Sequence, residues 1–363
     1  MQYFKAWPEQ EVKAQRNCVP EWRNGTFLAV FYVNEYTLLM VLFVDYPSWL
    51  SPYVIEGLPV RWYAVMYIFA FGTAYLLYSR TTSTDRTIRA GKDTVDDFFL
   101  TAVISLLVGA RLGSCFFYDD AAYYLTHPWM IFWPFRNGRF TGLPGMSYHG
   151  GVIGAFIGGL IYARVKKLDF LKMADHVALS IPFAYTWGRL GNFFNGELYG
   201  RISASPLAMV FPDAEKFSTN LDWVRDFCDT IGMEYTAGDY VNLPRWPSQL
   251  FEAFFEGIVV GLFLWLVVRR IKKKRNQADG TILSFYLIGY GFVRFIIEYF
   301  RQPDSDIGYV LSFGEKSTNI YVFESFGNIS KGQVFCFLMI LGGILLFIFS
   351  SLKRKKINDK RKS

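Results

Sequence analysis

The chain has 363 residues, of which 52% are hydrophobic, 19% aromatic and 19% charged, and its mean hydropathy is +0.19. A typical soluble domain is less apolar than this. The net charge is +7, but the basic residues flank apolar segments, as they do in membrane proteins facing anionic lipid. The composition therefore predicts an all-α polytopic membrane protein and gives no indication of a nucleic-acid site.

The N-terminal region precedes the first clear apolar span. Residues 1–24 are polar and contain no apolar core of a signal peptide. Residues 27–44 are apolar and rich in strand-forming residues, but Asn34 and Glu35 interrupt them. They fit either an extra span or an outer arm lying on the membrane. We favour the arm, because an extra span would place the N-terminus inside without a clear basic flank, and we assign residues 1–57 to an extracytoplasmic arm or extension.

Seven apolar segments are long enough to cross a hydrocarbon core of roughly 30 Å. They are residues 60–78, 98–118, 149–165, 171–194, 250–268, 281–300 and 334–352. Basic residues collect in alternate connections and in the tail, at residues 80–92, 164–172, 269–275 and 353–362. Because short cytoplasmic loops collect Lys and Arg, we predict a cytoplasmic C-terminus and an outer N-terminus. The predicted domains are then a transmembrane domain at 58–352, with an outer head segment at 201–247, and a basic cytoplasmic tail at 353–363.

One polar stretch follows the fourth apolar run. Between Gly188 and Gly200 the chain reads Gly-Arg-Leu-Gly-Asn-Phe-Phe-Asn-Gly-Glu-Leu-Tyr-Gly. An arginine near the end of a membrane helix must reach the interface or pair with an anion. Arg189 could be such an anchor, but Asn192 follows it on the same helical face, and glycines let backbone groups approach a ligand. The stretch therefore favours a binding site.

Other polar residues lie at or inside the predicted spans. His149 begins the third span, where the helix dipole favours a neutral imidazole that could act as a base. Arg111 lies within the second span, where a charge is rarely without function. Arg294 and Glu298 lie four residues apart on one face of the sixth span, which fits an ion pair or a site, and Arg301 beyond them is interpreted as interfacial. Three further candidates near the outer interface are Tyr63, Gln249 and Glu252.

The predicted topology places most of these residues at the outer leaflet. Convergence of residues from several spans on one depth favours a shared site. Guanidinium groups pair with phosphate oxygens through two parallel hydrogen bonds. We therefore predict an anionic phospholipid as the ligand.

Metal and cysteine chemistry receive little support from the sequence. It has neither a His-Glu-x-x-His run nor a Gly-x-Ser-x-Gly elbow, and its 3 histidines are scattered. We therefore expect no metal and no cofactor. Cys18 and Cys228 are both predicted outside and could pair only if the fold brings them together.

Five stretches of this sequence occur together in one known family. They are Arg-Trp-Tyr at 61–63, His-Gly-Gly at 149–151, the thirteen-residue stretch at 188–200, Pro-Ser-Gln-Leu-Phe-Glu at 247–252, and residues 294–304. In them the chain closely resembles the prolipoprotein diacylglyceryl transferases, and the resemblance covers residues 58–351. The chain departs from the family pattern at Trp246, where many members have histidine, at Phe251, which is often tyrosine, and in its N-terminal extension.

The resemblance implies an activity. It implies transfer of a diacylglyceryl group from phosphatidylglycerol to the lipobox cysteine thiol of a prolipoprotein signal peptide, with release of glycerol phosphate, at the bacterial cytoplasmic (inner) membrane. We expect a monomer surrounded by membrane lipids. Whether His149 removes the thiol proton, or only positions the lipid while arginines lower the pKa of the thiol, stays open.

The resemblance also assigns roles to residues. The predicted catalytic residues are His149, Arg189, Arg294 and Glu298. The predicted substrate-binding residues are Tyr63, Asn192, Asn195 and Glu197 by resemblance, and Arg111, Gln249 and Glu252 from their positions in or near the spans.

Two other functional classes remain at this stage. A secondary transporter for an anionic solute would also carry intramembrane arginines, but near the midplane and often in repeated halves, and no repeat is evident here. A non-catalytic lipid scaffold would need the arginines and not His149. Formation of a thioether on a lipobox peptide separates the three classes.

Overall fold

A computed structural model of the protein describes residues 19–23, 26–33, 36–55, 60–136, 138–140, 142–143, 145–303, 308–313 and 319–360. The chain divides into two units, and each is described by itself. Unit one comprises residues 1–72, 182–263 and 286–345, and unit two comprises residues 73–181, 264–285 and 346–363.

Helices account for most of the described chain. They are α1 (Trp62–Ser83), α2 (Lys92–Phe117), α3 (Ala121–Thr126), α4 (Tyr148–Val165), α5 (Phe170–Phe194), α6 (Asp222–Ile231), α7 (Ser248–Lys274), α8 (Thr281–Ile297) and α9 (Lys331–Lys360). A short 3-10 turn at Pro128–Ile131 follows α3. Within α7, the stretches Glu252–Val259 and Leu264–Val268 have π-helical geometry.

Each of the seven apolar segments identified from the sequence falls on one of these helices. In the part of the chain that the structure describes, three helices are long and apolar enough to cross a membrane: Lys92–Phe117, Ser248–Lys274 and Lys331–Lys355. The helix Thr281–Ile297 is apolar but shorter. The membrane character and the helical assignments are therefore confirmed, whereas the count of seven crossings and the orientation of the termini stay predictions.

The N-terminal apolar segment forms strands. Strands β1 (Val19–Arg23), β2 (Thr26–Val33) and β3 (Tyr36–Asp45) pair antiparallel in that order, and β3 pairs in parallel with β6 (Met209–Val210). An extra transmembrane helix at residues 27–44 is thereby excluded. The strand-forming composition of this segment outweighs its apolar length.

The all-α expectation also needs correcting elsewhere, because three further two-stranded sheets are present. Strands β4 (Phe135–Arg136) and β5 (Arg139–Phe140) form one hairpin, and β7 (Phe217–Ser218) pairs with β8 (Tyr240–Val241). Strand β9 (Tyr309–Ser312) pairs with β10 (Asn328–Ser330). The fold is mostly helical, with small sheets in its connections.

Residues 201–247, the predicted head segment, have a small apolar core in unit one. The buried side chains of Ile202, Phe217 and Leu243 pack together with that of Val224 from α6. Cys228 belongs to this core as a buried free thiol. Cys18, the other cysteine that the sequence places outside, lies outside the described residues.

Helices α2 and α4 of unit two approach each other through glycines. A Cβ added to Gly109 would lie 2.4 Å from the carbonyl oxygen of Gly150, and one added to Gly154 would lie 2.2 Å from that of Ser105. Side chains there would push the two helices apart. The glycines at 150, 154 and 158 thus serve close helix packing, as their spacing indicates.

Candidate active site

Glu252 is the centre of an ion-pair cluster in unit one. Its side chain is fully buried. Its Oε2 lies 2.7 Å from Nε of Arg189, and its Oε1 lies 3.1 Å from Nη1 of Arg294 and 2.8 Å from Nη1 of Arg301. A buried carboxylate is tolerated only when it is paired and hydrogen-bonded. Glu252 on α7 therefore ties together α5, α8 and the segment that follows α8.

Two more carboxylates join this centre. Glu256 accepts a hydrogen bond from the hydroxyl of Tyr185 at 2.6 Å and lies 3.4 Å from Nη1 of Arg294. Glu298 lies 3.0 Å from Nη2 of Arg294 and 3.6 Å from Nε of Arg301. We call the following six residues the Arg–Glu cluster: Arg189, Arg294, Arg301, Glu252, Glu256 and Glu298. With three charges of each sign, the cluster carries no net formal charge.

Helix geometry places these carboxylates on common faces. Glu252 and Glu256 lie four residues apart in the first π-helical stretch of α7, a spacing that places both on one side of a helix. Arg294 and Glu298 are also four apart, and the ion pair that this spacing predicts is present.

The arginine side chains of the cluster are more exposed than the central carboxylate. The side chains of Arg189, Arg294 and Arg301 are 18%, 15% and 20% exposed, whereas that of Glu252 is 0% exposed. The arginines are therefore the more accessible members of these pairs, and guanidinium groups suit an anionic ligand.

Arg189 uses only part of its donor set within the described residues. Its Nε donates to the hydroxyl of Tyr185 at 2.6 Å and pairs with Glu252, and its Nη1 lies 3.4 Å from Oδ1 of Asn192. These contacts leave Nη2 for a ligand. Arg294 by contrast pairs with all three carboxylates of the cluster.

The stretch at 188–200 turns sharply after α5 and brings its polar side chains together. Gly196 has a φ of +65°, which favours glycine. After this turn, Oε1 of Glu197 accepts hydrogen bonds from Nδ2 of Asn192 at 3.1 Å and of Asn195 at 3.3 Å. Gln249 donates to the carbonyl oxygen of Glu197 at 2.7 Å. These four residues are therefore neighbours, as the predicted site requires.

Tyr63 lies beside this stretch on α1. A Cβ added to Gly191 would lie 3.4 Å from Cδ2 of Tyr63 and 3.2 Å from Cβ of Met66, so α1 packs directly on α5. The hydroxyl of Tyr63 is hydrogen-bonded to that of Tyr67 at 2.9 Å. Its predicted contact with substrate stays a prediction.

His149 and Arg111 belong to unit two. His149 is exposed in the first turn of α4, and its ring centroid lies 5.7 Å from that of Tyr148. Arg111 is buried, with Nε donating to the carbonyl oxygen of Ile131 at 2.5 Å and Nη1 to that of Gly145 at 3.3 Å. These bonds give Arg111 a role in holding the loop before α4. Substrate binding by Arg111 and base catalysis by His149 stay predictions.

Three members of this network were not identified from the sequence. The interpretation of Arg301 as merely interfacial is wrong, because it pairs with the fully buried Glu252. Arg201 explains the placement, since its Nε donates to the carbonyl oxygen of Arg301 at 2.7 Å and fixes the turn after α8. The other two members are Glu256 and Tyr185. Spacing gave a signal for each of the three, since Arg301 is three residues from Glu298, Glu256 is four from Glu252, and Tyr185 is four from Arg189.

Trp246 and Phe251, two of the three expected departures from the family pattern, contact each other. The ring centroid of Trp246 lies 5.7 Å from that of Phe251, and those of both residues lie close to that of Phe300, at 5.3 Å and 5.7 Å. Apolar aromatic packing thus surrounds Trp246. This packing also supports the start of α7, where Glu252 lies.

Comparison with known proteins matches the chain to a family. The family model described as prolipoprotein diacylglyceryl transferase matches residues 52–349. Two relatives named phosphatidylglycerol–prolipoprotein diacylglyceryl transferase come from Treponema denticola, at 46% identity over 89% of this chain and 98% of the relative, and from Treponema pallidum, at 43% identity over 84% and 94%. A third with that name, from Chlorobaculum tepidum, is 38% identical over 84% of this chain and 91% of its own.

Among the described residues, no group of three or more His, Cys, Asp or Glu side chains could hold a metal ion, and the expectation of metal-free chemistry stays a prediction.

The Arg–Glu cluster and the polar turn at 188–200 both lie within the stretch that matches the family. The chain belongs to the prolipoprotein diacylglyceryl transferase family.

Proposed function

We propose that this protein transfers the diacylglyceryl group of phosphatidylglycerol to the lipobox cysteine thiol of prolipoproteins, the first step of lipoprotein maturation. The observation that carries the proposal is the Arg–Glu cluster, in which three partly exposed guanidiniums surround the buried carboxylate of Glu252. The names of the relatives supply the substrates. A cluster of this kind suits a lipid phosphate, because guanidinium donors match its oxygens.

The proposed step is a displacement at carbon. The thiolate sulfur attacks the carbon of the diacylglyceryl group that is bonded to the phosphate oxygen. An S–C bond forms, and the bond between that carbon and the phosphate oxygen breaks. The electron pair of that bond goes to the phosphate oxygen, so glycerol phosphate leaves with an additional negative charge. Arginine donors that strengthen their contact with this charge lower the barrier.

The thiol must lose its proton for this attack. A cysteine thiol has a reference pKa of about 8.5, so a base or a positive field has to act near neutral pH. Of the two roles that the sequence leaves open for His149, we propose that of the base. Its exposed position at the start of α4 supports that role, because a substrate thiol can reach an exposed imidazole.

The arginines of the cluster divide the work. Arg189 pairs with one carboxylate and retains donors within the described contacts, so we assign it the direct contact with the phosphate. Arg294 pairs with three carboxylates, so much of its donor capacity maintains the cluster. Arg301, in the segment that follows α8, pairs with Glu252 and Glu298.

We also propose a membrane arrangement. The protein lies in the bacterial cytoplasmic (inner) membrane as a monomer, with seven crossing helices, an outer N-terminus, a cytoplasmic C-terminus and the active site towards the outer leaflet. The basic connections at residues 80–92, 164–172 and 269–275 support this orientation. The bacterial relatives support the choice of membrane.

The activity itself gives the first prediction. Purified protein mixed with phosphatidylglycerol and a lipobox peptide should add one diacylglyceryl group to the peptide without metal or nucleotide, and mass spectrometry detects the adduct. A peptide with serine in place of cysteine is the control and should stay unmodified. A peptide that gains no mass would contradict the proposed function, and activity lost with a chelator and restored by zinc would contradict the metal-free step.

Arg189 tests the phosphate contact. Arg189→Lys keeps the charge but loses the planar fork of donors, so we expect transfer to fall by a factor of about 30 to 1,000, or about 2–4 kcal/mol. The measurement is the initial rate of peptide modification with folded, membrane-extracted protein. Arg225→Lys is the matched control, because Arg225 in the head segment is 39% exposed and pairs with the exposed Asp222. Near-normal transfer by Arg189→Lys would make Arg189 a membrane anchor.

The orientation has its own test. A reporter fused after Lys356 should lie in the cytoplasm, and one inserted near Asn220 should lie outside, since basic connections stay inside. Paired reporters that are active on opposite sides of the membrane, such as a phosphatase and a fluorescent protein, measure this. An Asn220 fusion found in the cytoplasm would overturn the proposed orientation and the outer-leaflet site.

A further inference from the structure

Helix α9 begins with a capping box that also contacts the Arg–Glu cluster. The backbone N–H of Ser330 donates to Oε1 of Gln333 at 2.9 Å, and the backbone N–H of Gln333 donates to the hydroxyl of Ser330 at 3.2 Å. This reciprocal pair is the usual way to satisfy the first donors of a helix. The Ser330 hydroxyl accepts the bond from Gln333 and donates its own hydrogen to Oε1 of Glu298 at 3.0 Å.

The same helix turn leaves room for the carboxylate of Glu298. A Cβ added to Gly332 would lie 2.4 Å from Oε1 and 2.8 Å from Cδ of Glu298. The carboxylate therefore lies directly against the Cα of Gly332, where any side chain would displace it. The positive end of the α9 dipole favours a carboxylate at this place.

Gln333 links the box to α8, which ends just before Glu298. Its Nε2 donates to the carbonyl oxygen of Phe295 on α8 at 3.3 Å. Ser330 and Gln333 are 3% and 1% exposed, so their hydrogen bonds are shielded from water and are costly to lose. The start of α9 thus fixes both the carboxylate and the backbone before it.

We propose that Ser330, Gly332 and Gln333, the α9 seat, are positioning residues for Glu298 in diacylglyceryl transfer, an inference that rests on the proposed function. Glu298 in turn lies 3.0 Å from Nη2 of Arg294 and 3.6 Å from Nε of Arg301. A shift of the carboxylate would move these two arginines and, through Glu252, disturb Arg189, to which we assign the contact with the phosphate. A misplacement of about 1 Å in such a constellation can cost on the order of 100-fold in rate.

Gly332→Ala is the main test, because it moves the carboxylate of Glu298 without removing it. The clashing atoms belong to the end of the flexible Glu298 side chain, so the fold can accept the methyl group by moving the carboxylate, and alanine favours a helix over glycine. We expect the variant to fold and to lose transfer about 10- to 100-fold, in kcat rather than in KM for the peptide.

Gly342→Ala is the matched control on the same helix. A Cβ at Gly342 meets nothing within 4 Å among the described residues, so this variant gains the same helix preference without touching Glu298. It should retain normal transfer.

Ser330 provides a second, independent test that does not depend on Gly332. Ser330→Ala should lower transfer about 10-fold, since a hydrogen bond to a charged group is lost, and Ser330→Thr should restore it. In a Glu298→Gln background, Ser330→Ala should have little further effect, because the seat then has no carboxylate to position. A purely structural cap would lose the same factor in both backgrounds.

The outcomes separate this inference from the function on which it rests. If the unmodified protein adds no diacylglyceryl group to the peptide, the proposed function fails, and the inference fails with it. If the unmodified protein is active while Gly332→Ala keeps normal transfer, or Ser330→Ala loses the same factor with and without Glu298, the α9 seat alone is overturned.

Discussion

A single buried carboxylate is shared by three arginines from three parts of the chain. Glu252 on α7 pairs with Arg189 from α5, Arg294 from α8 and Arg301 from the turn beyond it. Removing one partner from a buried pair typically costs about 3–5 kcal/mol, because a charge is left uncompensated. The arrangement of these elements in unit one therefore depends strongly on this contact.

The same contact explains how the site can serve an anionic lipid and still be stable without it. Glu252, Glu256 and Glu298 neutralise the guanidiniums from the buried side, so no net charge is stranded in the fold. The outer edges of the guanidiniums stay partly exposed and preorganised. A phosphate that gains charge as its ester bond breaks then meets fixed donors, which is the condition for electrostatic catalysis.

Much of this could be predicted from the sequence, because it depends on local spacing. Apolar length located the helices, and a spacing of four residues located the Arg294–Glu298 ion pair. The polar stretch at 188–200 pointed to Asn192 and Glu197, which are hydrogen-bonded to each other. Each of these features lies within one helix or one turn.

The parts that could not be predicted depend on contacts between distant segments. Arg301 reaches Glu252 only because Arg201, 100 residues earlier, fixes the turn that follows α8. Ser330 meets Glu298 only because α9 begins beside the end of α8. Residues 27–44 were long and apolar enough for a helical span, and strand pairing with neighbouring segments excludes one.

The measurement that bears most directly on the account is diacylglyceryl transfer by Glu252→Gln, compared with Glu234→Gln at an exposed position of the head segment. An amide keeps the shape of the Glu252 side chain but has no negative charge to pair with the three guanidiniums. The account predicts that folded, membrane-inserted Glu252→Gln loses at least about 30-fold in transfer, while Glu234→Gln keeps normal activity. Folded Glu252→Gln that transfers at the normal rate would contradict the claim that this carboxylate organises the site.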